Sequence, residues 1–456
     1  MSTSVDKRLD SMLKAVLRDG ADFADLYFEV SASHSCCFEN GALEEVSSSS
    51  SEGVGARILK GETTSLSYAP GADLASGLSC LRTAAEDGGL KAALGDPSYV
   101  RVMETGASFP SPDHSFFHKI NDSLRQRSDR IRQVSISLNT ALKRFKVFNS
   151  YGTATGDTRS YTYFSVEVTV EKDGAIQTGY ESEALPSDSP AFFCAVSPLR
   201  IAETALSRAL MVPPASPDSS TGMAPVLLSG EAGGTMIHEA CGHGFEADIV
   251  QKDFSVYRDK IGKQVASHLV TLVDDGTMPG RLGSGACDDE GVPCGRTVLI
   301  ENGVARAYMS DIASARRGSL PLTGNGRRSS YRSAPQPRMT NTYVMPGNSS
   351  AEEMMRFPGR GLLVKRMGGG EVDPTSGDFV FHVTEGYLLE DGRVLHPVRG
   401  AVIAGNGPEA LMDIKAVGDD LHFLPGICGK SGQSVPVTDG QPSLLVGCLT
   451  VGGELM

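Results

Sequence analysis

Tryptophan is absent from the 456-residue sequence, its nine cysteines form no CxxC pair, and no apolar run reaches the length of a membrane span. Basic residues are also in short supply: 42 Lys and Arg stand against 55 Asp and Glu, a net charge of −13. Such a field repels phosphate backbones and anionic bilayers, so neither nucleic acid nor a membrane is expected as a partner. An odd number of scattered cysteines offers no disulfide framework. It points to reduced thiols, mostly small core residues, and to the cytoplasm. The first twenty residues carry Val5, Leu9, Met12, Leu13, Val16 and Leu17 at helical spacing between charges, the pattern of an amphipathic helix and not of a signal peptide.

What the sequence has in plenty is glycine. Its 52 residues indicate many turns and a loop-rich β component. With 40% hydrophobic and 21% charged residues the chain is globular, and its length suggests two domains. The first half alternates helical and strand patterns. DLYFEVSA (Asp25 to Ala32) reads as a strand, Glu39-Asn40-Gly41 as a hairpin turn, and Asp73 to Ala85 and Ser115 to Gln133 as helices. VSISLNTA, RFKVFNS, YTYFSVEVTVEK and AIQTGYES follow as a run of strands. The serines at 47–51 sit between strand-like segments and fit a polar, solvated strand or loop better than a linker. A proline-rich stretch from Met211 to Pro225 marks the boundary. The expected fold class is α+β: a mixed N-terminal domain of antiparallel strands with helices over 1–215, then a β-rich C-terminal domain over 222–456.

The chemistry is concentrated in GGTMIHEACGHGFEAD, Gly233 to Asp248, where His238-Glu239 and His243 form HExxxH. Two imidazoles are good zinc ligands, and a carboxylate beside the metal can take a proton from water and deliver it to a leaving amine. The spacing differs from the commoner HExxH. Residues four apart on an α-helix lie about 40° apart around the axis, whereas residues five apart lie about 140° apart. Both histidines can reach one ion only if the turn gains a residue, and Gly242 and Gly244 make a π-bulge or kink there the expectation. A catalytic zinc also needs a third protein ligand. Cys241, Glu246 (as ligand or as a hydrogen-bond partner), Cys428 and Cys448 are candidates. Spacing does not choose among the remote ones. His382 and His396 flank a hairpin, Cys448 reads as a core strand residue, and His114 and His118 read as a pair on a helix surface.

MIHEACGHGFEAD, DDGTMPGRLGS with DDEGVP, TGNGRRSSY with PRMTNTYVMPG, and CGKSGQSVPVTDGQPSLLVGCLTVGG occur in that order from about residue 220 to the end. Together they resemble the TldD/PmbA family, also described as modulators of DNA gyrase; the N-terminal half is similar more loosely, around EVSSSSSEGVGARILKG. The resemblance implies a zinc metallopeptidase of the TldD branch, with Zn2+ held by His238, His243 and Cys428 and with Glu239 as general base. It also implies unfolded or extended peptides as substrates. The assembly it implies is a dimer enclosing a cavity, either a homodimer or a heterodimer with a PmbA/TldE-type relative. Arg338, Met339, Thr340, Asn341 and Thr342 correspond to a strand that pairs with the peptide backbone. Two other functions use the same motif: a zinc amidase or deacylase acting on a small molecule, and a scaffold subunit that binds peptide without cutting it.

Overall fold

The computed structural model describes residues 4–453 apart from 92–93, 95–98, 105, 107–113, 173, 212–221, 358 and 399. The Pro-rich boundary stretch therefore lies largely outside the described residues. Among the described ones strand exceeds helix, in agreement with a mixed α and β protein.

The first half is built on unusually long strands: β1 (Phe23–Glu39), β2 (Ala42–Lys60), β3 (Thr63–Pro70), β4 (Ile131–Asn149), β5 (Ala154–Lys172) and β6 (Ala175–Leu185). They form one antiparallel sheet in the order β3-β2-β1-β4-β5-β6. β1 and β2 meet at Asn40 and Gly41, whose φ values of 48° and 94° are those of a tight two-residue hairpin turn. The serine run at 47–51 lies inside β2, paired with β1. VSISLNTA and RFKVFNS are a single strand, β4, because Lys143 and Arg144 alternate with the pleat and do not break it. The helix expected over 115–133 ends at Arg127, since from Ile131 apolar residues alternate at period two and join β4.

One face of this sheet carries two apolar clusters. Helices α1 (Ser4–Arg18) and α2 (Leu74–Asp87) bury Leu9, Leu13 and Leu81 against Leu26, Phe28 and Ile58. Helix α3 (Ser115–Arg127) and, after a short α4 (Ser189–Ala195), α5 (Pro198–Leu210) bury Phe117, Leu124 and Ala205 against Phe38, Leu138, Phe164 and Val166. The other face meets the second half of the chain through Tyr27, Phe145 and Val147, which pack with Cys287 and Tyr331. Charges are buried there too. Arg57 pairs with Asp25 and lies 2.6 Å from Glu290, Arg159 lies 2.9 Å from Asp289, and Arg328 sits 4.3 Å from the Tyr27 ring centroid. Asp25, Arg57 and Glu290 are fully enclosed, so removing the cation leaves Glu290 without its ion-pair partner and Asp25 with Arg328 alone, 3.7 Å away. Arg57→Ala is expected to lower stability by about 3–5 kcal/mol, read by chemical denaturation. A change within experimental error would show that water reaches this cluster.

The second half contains β7 (Gly222–Leu228), β8 (Leu272–Asp275), β9 (Arg296–Glu301), β10 (Val304–Ala305), β11 (Gly326–Arg327), β12 (Gln336–Pro337), β13 (Asn341–Val344), β14 (Arg360–Val372), β15 (Asp378–Glu390), β16 (Arg393–Val398), β17 (Ala401–Asn406), β18 (Ile414–Val417), β19 (His422–Lys430), β20 (Gln433–Gln441) and β21 (Leu444–Gly453). Pairing runs β14-β7-β21-β17-β15 and returns from β15 to β14, closing a ring of five strands; β16 and β18 are added at its side. A second sheet has the order β10-β9-β8-β13-β20-β19. The chain from Thr235 to Gln251 lies between ring and sheet. Met236, Ile237 and Phe245 share one core with Val226, Val364 and Phe381 of the ring and with Leu272, Val344 and Val437 of the sheet. No helix among the described residues is long and apolar enough to cross a membrane.

Candidate metal centre

The HExxxH segment begins as a helical turn at Thr235–Ile237, passes into a five-residue π-helix at His238–Gly242 and tightens to a 3-10 turn at His243–Phe245. The His243 amide donates to the His238 carbonyl, the i→i+5 bond that brings residues five apart onto one face. The distortion expected from the spacing is present. Its need for glycine is steric: Gly242 has an ordinary helical φ of −52°, but a Cβ there would overlap Met339 Sδ, and one at Gly244 would overlap the Tyr257 ring.

Three potential ligand atoms converge. His238 Nε2 lies 3.2 Å from Cys428 Sγ, and His243 Nε2 lies 3.5 Å from it. With Zn–N of about 2.0–2.1 Å and Zn–S of about 2.3 Å, the edges of a tetrahedral site are roughly 3.3–3.6 Å. The spacing fits an ion held by these three side chains. Glu239 Oε2 is 3.9 Å from His243 Nε2, and this side chain is 38% exposed while the three ligand candidates are largely enclosed. Cys428 stands on β19, an edge strand of its sheet, between the exposed Ile427 and Gly429.

Each imidazole is oriented from behind. Asp439 on β20 accepts from His238 Nδ1 at 2.6 Å, and Glu246 accepts from His243 Nδ1 at 2.9 Å. Lys430 Nζ holds Glu246 at 2.9 Å and Asp248 at 2.7 Å. Such carboxylates fix the tautomer in which Nε2 is free for a metal. Glu246, weighed as ligand or support, occupies the supporting position. Asp439 and Lys430 were not read from the sequence. Lys430 follows Cys428 by two and so shares its side of the strand, a signal that period-two reading could have used. Asp439 reaches the site only because the turn before His238 packs on β20.

The charges are unusual. Burial pushes the Cys428 thiol up, but hydrogen bonds and charge from His238 and His243 bring it down to about 5. Burial also disfavours the charged imidazoles, yet Asp439 raises His238 well above the ordinary histidine value and Glu246 with Cys428 raises His243 to about 9. Despite burial, His243 and Lys430 hold the Glu246 carboxyl at about 2. Without a metal these neighbours favour a thiolate beside charged imidazoles. The imidazolium contribution to stability is full below the ordinary value of 6.5 and is lost as pH rises through about 9. The thiolate contribution is full above the ordinary 9.0 and is lost as pH falls through about 5. Zinc must then displace protons from imidazoles, not from sulfur. At pH 8 metal-free protein is expected to release about two protons from its side chains and close to a third from a metal-bound water, against about two in all for unshifted groups. Calorimetry in buffers of different ionisation enthalpy checks this, and a total of about two or fewer would contradict the charge state.

Other expected residues fall elsewhere. Cys241 is fully buried beside Tyr257, its thiol pushed up to about 12 by burial, and it is not among the converging atoms. Cys448 is a strand residue but exposed, so it is not core. His382 is exposed on β15 and His396 half-buried on β16. The run Arg338–Thr342 does not offer the free strand anticipated for it. β13 is internal, paired to β8 on one side and β20 on the other, and all five side chains are buried. Arg338 meets no buried acid; it donates to the carbonyls of Cys428 at 2.6 Å and Gln433 at 3.2 Å. Met339 packs on Gly242, Thr340 and Thr342 donate to Asp274, and Asn341 donates to the Asp275 carbonyl. This run braces the centre from behind. Local strand propensity cannot separate a central strand from an edge one.

Three family models match the chain in order: the PmbA/TldA metallopeptidase domain 1 over residues 24–87, its central domain over 108–211 and its C-terminal domain over 221–453. A metalloprotease TldD homolog of Haemophilus influenzae is 37% identical, with 95% of this chain and 93% of that one covered. A zinc metalloprotease TldD homolog of Saccharolobus solfataricus is 35% identical over 50% of this chain and 51% of its own. Among solved structures, TldE from Thermococcus kodakarensis superposes with a TM-score of 0.73 at 20% identity, covering 98% of this chain and all of that one. With the motif, the fold and three consecutive domain matches in agreement, this chain belongs to the PmbA/TldA family of metallopeptidases.

Proposed function

We propose that the protein is a zinc peptidase that hydrolyses extended polypeptide, with His238, His243 and Cys428 as metal ligands and Glu239 as general base. The observation that carries this reading is the partly exposed carboxylate of Glu239, 3.9 Å from His243 Nε2 beside a largely enclosed His–His–Cys cluster. A bound zinc ion supplies Lewis acidity, lowering the pKa of a water to about 7 and polarising a carbonyl. Glu239 takes the proton of the attacking water and returns it to the leaving amine as the C–N bond breaks. Asp439, Glu246 and Lys430 hold the imidazoles in place while this happens.

Extended substrate is supported by the position of Cys428. β19 pairs with β20 on one side and has no strand partner on the other among the described residues, so a peptide can add along it beside the ligands. This edge takes the place of the β13 segment. Assembly as a dimer, either of two copies of this chain or with a relative of the TldE type that shares its fold, is part of this proposal.

The test is a comparison of substrates by protein stripped of metal and reloaded with zinc. Cleavage of a reduced, alkylated polypeptide, with its native form and short acyl amides resistant, is the expected result. Turnover of small acyl amides with peptides untouched would make the protein a small-molecule amidase. Binding of peptide with no cleavage of either would make it a scaffold.

A further inference from the structure

The sequence pairs His114 with His118 by helical spacing, but the structure gives His114 another neighbour. It stands at the N-cap of α3, and its ring lies parallel to that of His34 on β1, with 5.6 Å between centroids and 9° between planes. The two Nε2 atoms are 3.5 Å apart. His34 and Cys36 alternate onto one buried face of β1, and the potential ligand atoms of His34, Cys36 and His114 all lie within 4.8 Å of one another. No residue of this cluster belongs to the HExxxH centre.

We infer that His34, Cys36 and His114 form a second metal site, for a zinc-type divalent cation, which fastens the start of α3 to the middle of β1.

Three observations support it. First, 3.5 Å is too long for a sound hydrogen bond between ring nitrogens, but it is close to the roughly 3.3–3.4 Å edge of a tetrahedral zinc site with two nitrogen ligands. It also equals the longer of the two nitrogen–sulfur spacings at the first centre. Second, Ser48 faces His34 across β1 and β2, and its Oγ lies 2.9 Å from His34 Nδ1. A proton on Nδ1 donated to that hydroxyl leaves Nε2 with a free lone pair directed at the cluster, the arrangement usual behind a ligating histidine. Third, the donor set is selective: two imidazoles and a thiol suit a borderline-soft ion and exclude magnesium or calcium. His34 and Cys36 are buried while His114 is part-exposed, so an ion can enter from its side. On binding, Cys36 gives up its thiol proton to solvent and the sulfur becomes the anionic ligand. The ion then links residues 80 positions apart.

Zinc counting by mass spectrometry separates this from the first centre. Full-length protein equilibrated with zinc and dialysed is expected to retain two ions per chain, and His114→Asn one. Asparagine is a good helix N-cap, so the variant should fold, and its peptide cleavage should be unchanged. Cys428→Ser is also expected to retain one ion. Loaded with cobalt, that variant should still show a thiolate-to-metal charge-transfer band, and adding Cys36→Ser should abolish it. One ion per chain in both wild type and His114→Asn would overturn the proposal. So would a cobalt-loaded Cys428→Ser protein whose spectrum is indifferent to Cys36→Ser.

Discussion

Glu239→Gln is expected to keep its metal and lose its chemistry. Glutamine matches the carboxylate in size and can hold a water, but it cannot take that water's proton. General-base catalysis typically contributes 10²–10⁴-fold, so peptide hydrolysis should fall by at least about 100-fold. Metal content should not change, because His238, His243 and Cys428 converge without any contribution from Glu239. The side chain is partly exposed and reaches the buried network only through His243 Nε2, 3.9 Å away, so the thermal transition should stay close to where it is. Activity within tenfold of wild type would remove Glu239 from the mechanism. Loss of metal would move it into the ligand set.

The second large effect is expected at Cys428. Serine does not ionise at neutral pH, so Cys428→Ser withdraws the anionic donor and leaves two imidazoles. Altering residues that merely support ligands costs about 10–100-fold in metal affinity, and loss of a ligand should exceed that. Zinc should leave this centre on dialysis and peptide cleavage should vanish with it. The backbone has reason to stay in place, since Arg338 grips the Cys428 carbonyl and β19 remains paired to β20. A variant that turned over peptide at the wild-type rate after dialysis would eliminate sulfur as a ligand. The contrast between the two variants, metal kept in one and lost in the other, separates a base from a ligand.

Features carried by neighbours in sequence were legible before the fold was known. The five-residue interval between His238 and His243 demanded a π-type turn, and Asn40-Gly41 demanded a hairpin; both depend on local geometry alone. The motif blocks were enough to suggest the family and hence Cys428, which spacing could not have selected. What escaped was non-local. Asp439 meets His238 because the turn at Thr235–Ile237 packs on β20, and His114 meets His34 because the start of α3 lies against β1. Nothing in either neighbourhood records those encounters. The central place of the strand that ends the Arg338–Thr342 run was hidden for the same reason: an edge strand and a central strand obey one alternation rule, and only the order of strands in the sheet tells them apart.

The imidazolium–thiolate state of the HExxxH centre bears on how the protein lives without its ion. Many small metal sites are knots of mutual repulsion until the metal arrives, and their folds come apart when it leaves. Here Asp439 and Glu246 favour a proton on each of His238 and His243, and two such protons match the charge of a divalent ion. Exchange between them leaves the sum over Cys428, Asp439, Glu246 and Lys430 unaltered, and no buried carboxylate loses its counter-charge in either state. On that balance of charge the metal-free chain is expected to stay folded, and circular dichroism of protein stripped of metal checks this; loss of the fold on stripping would contradict it.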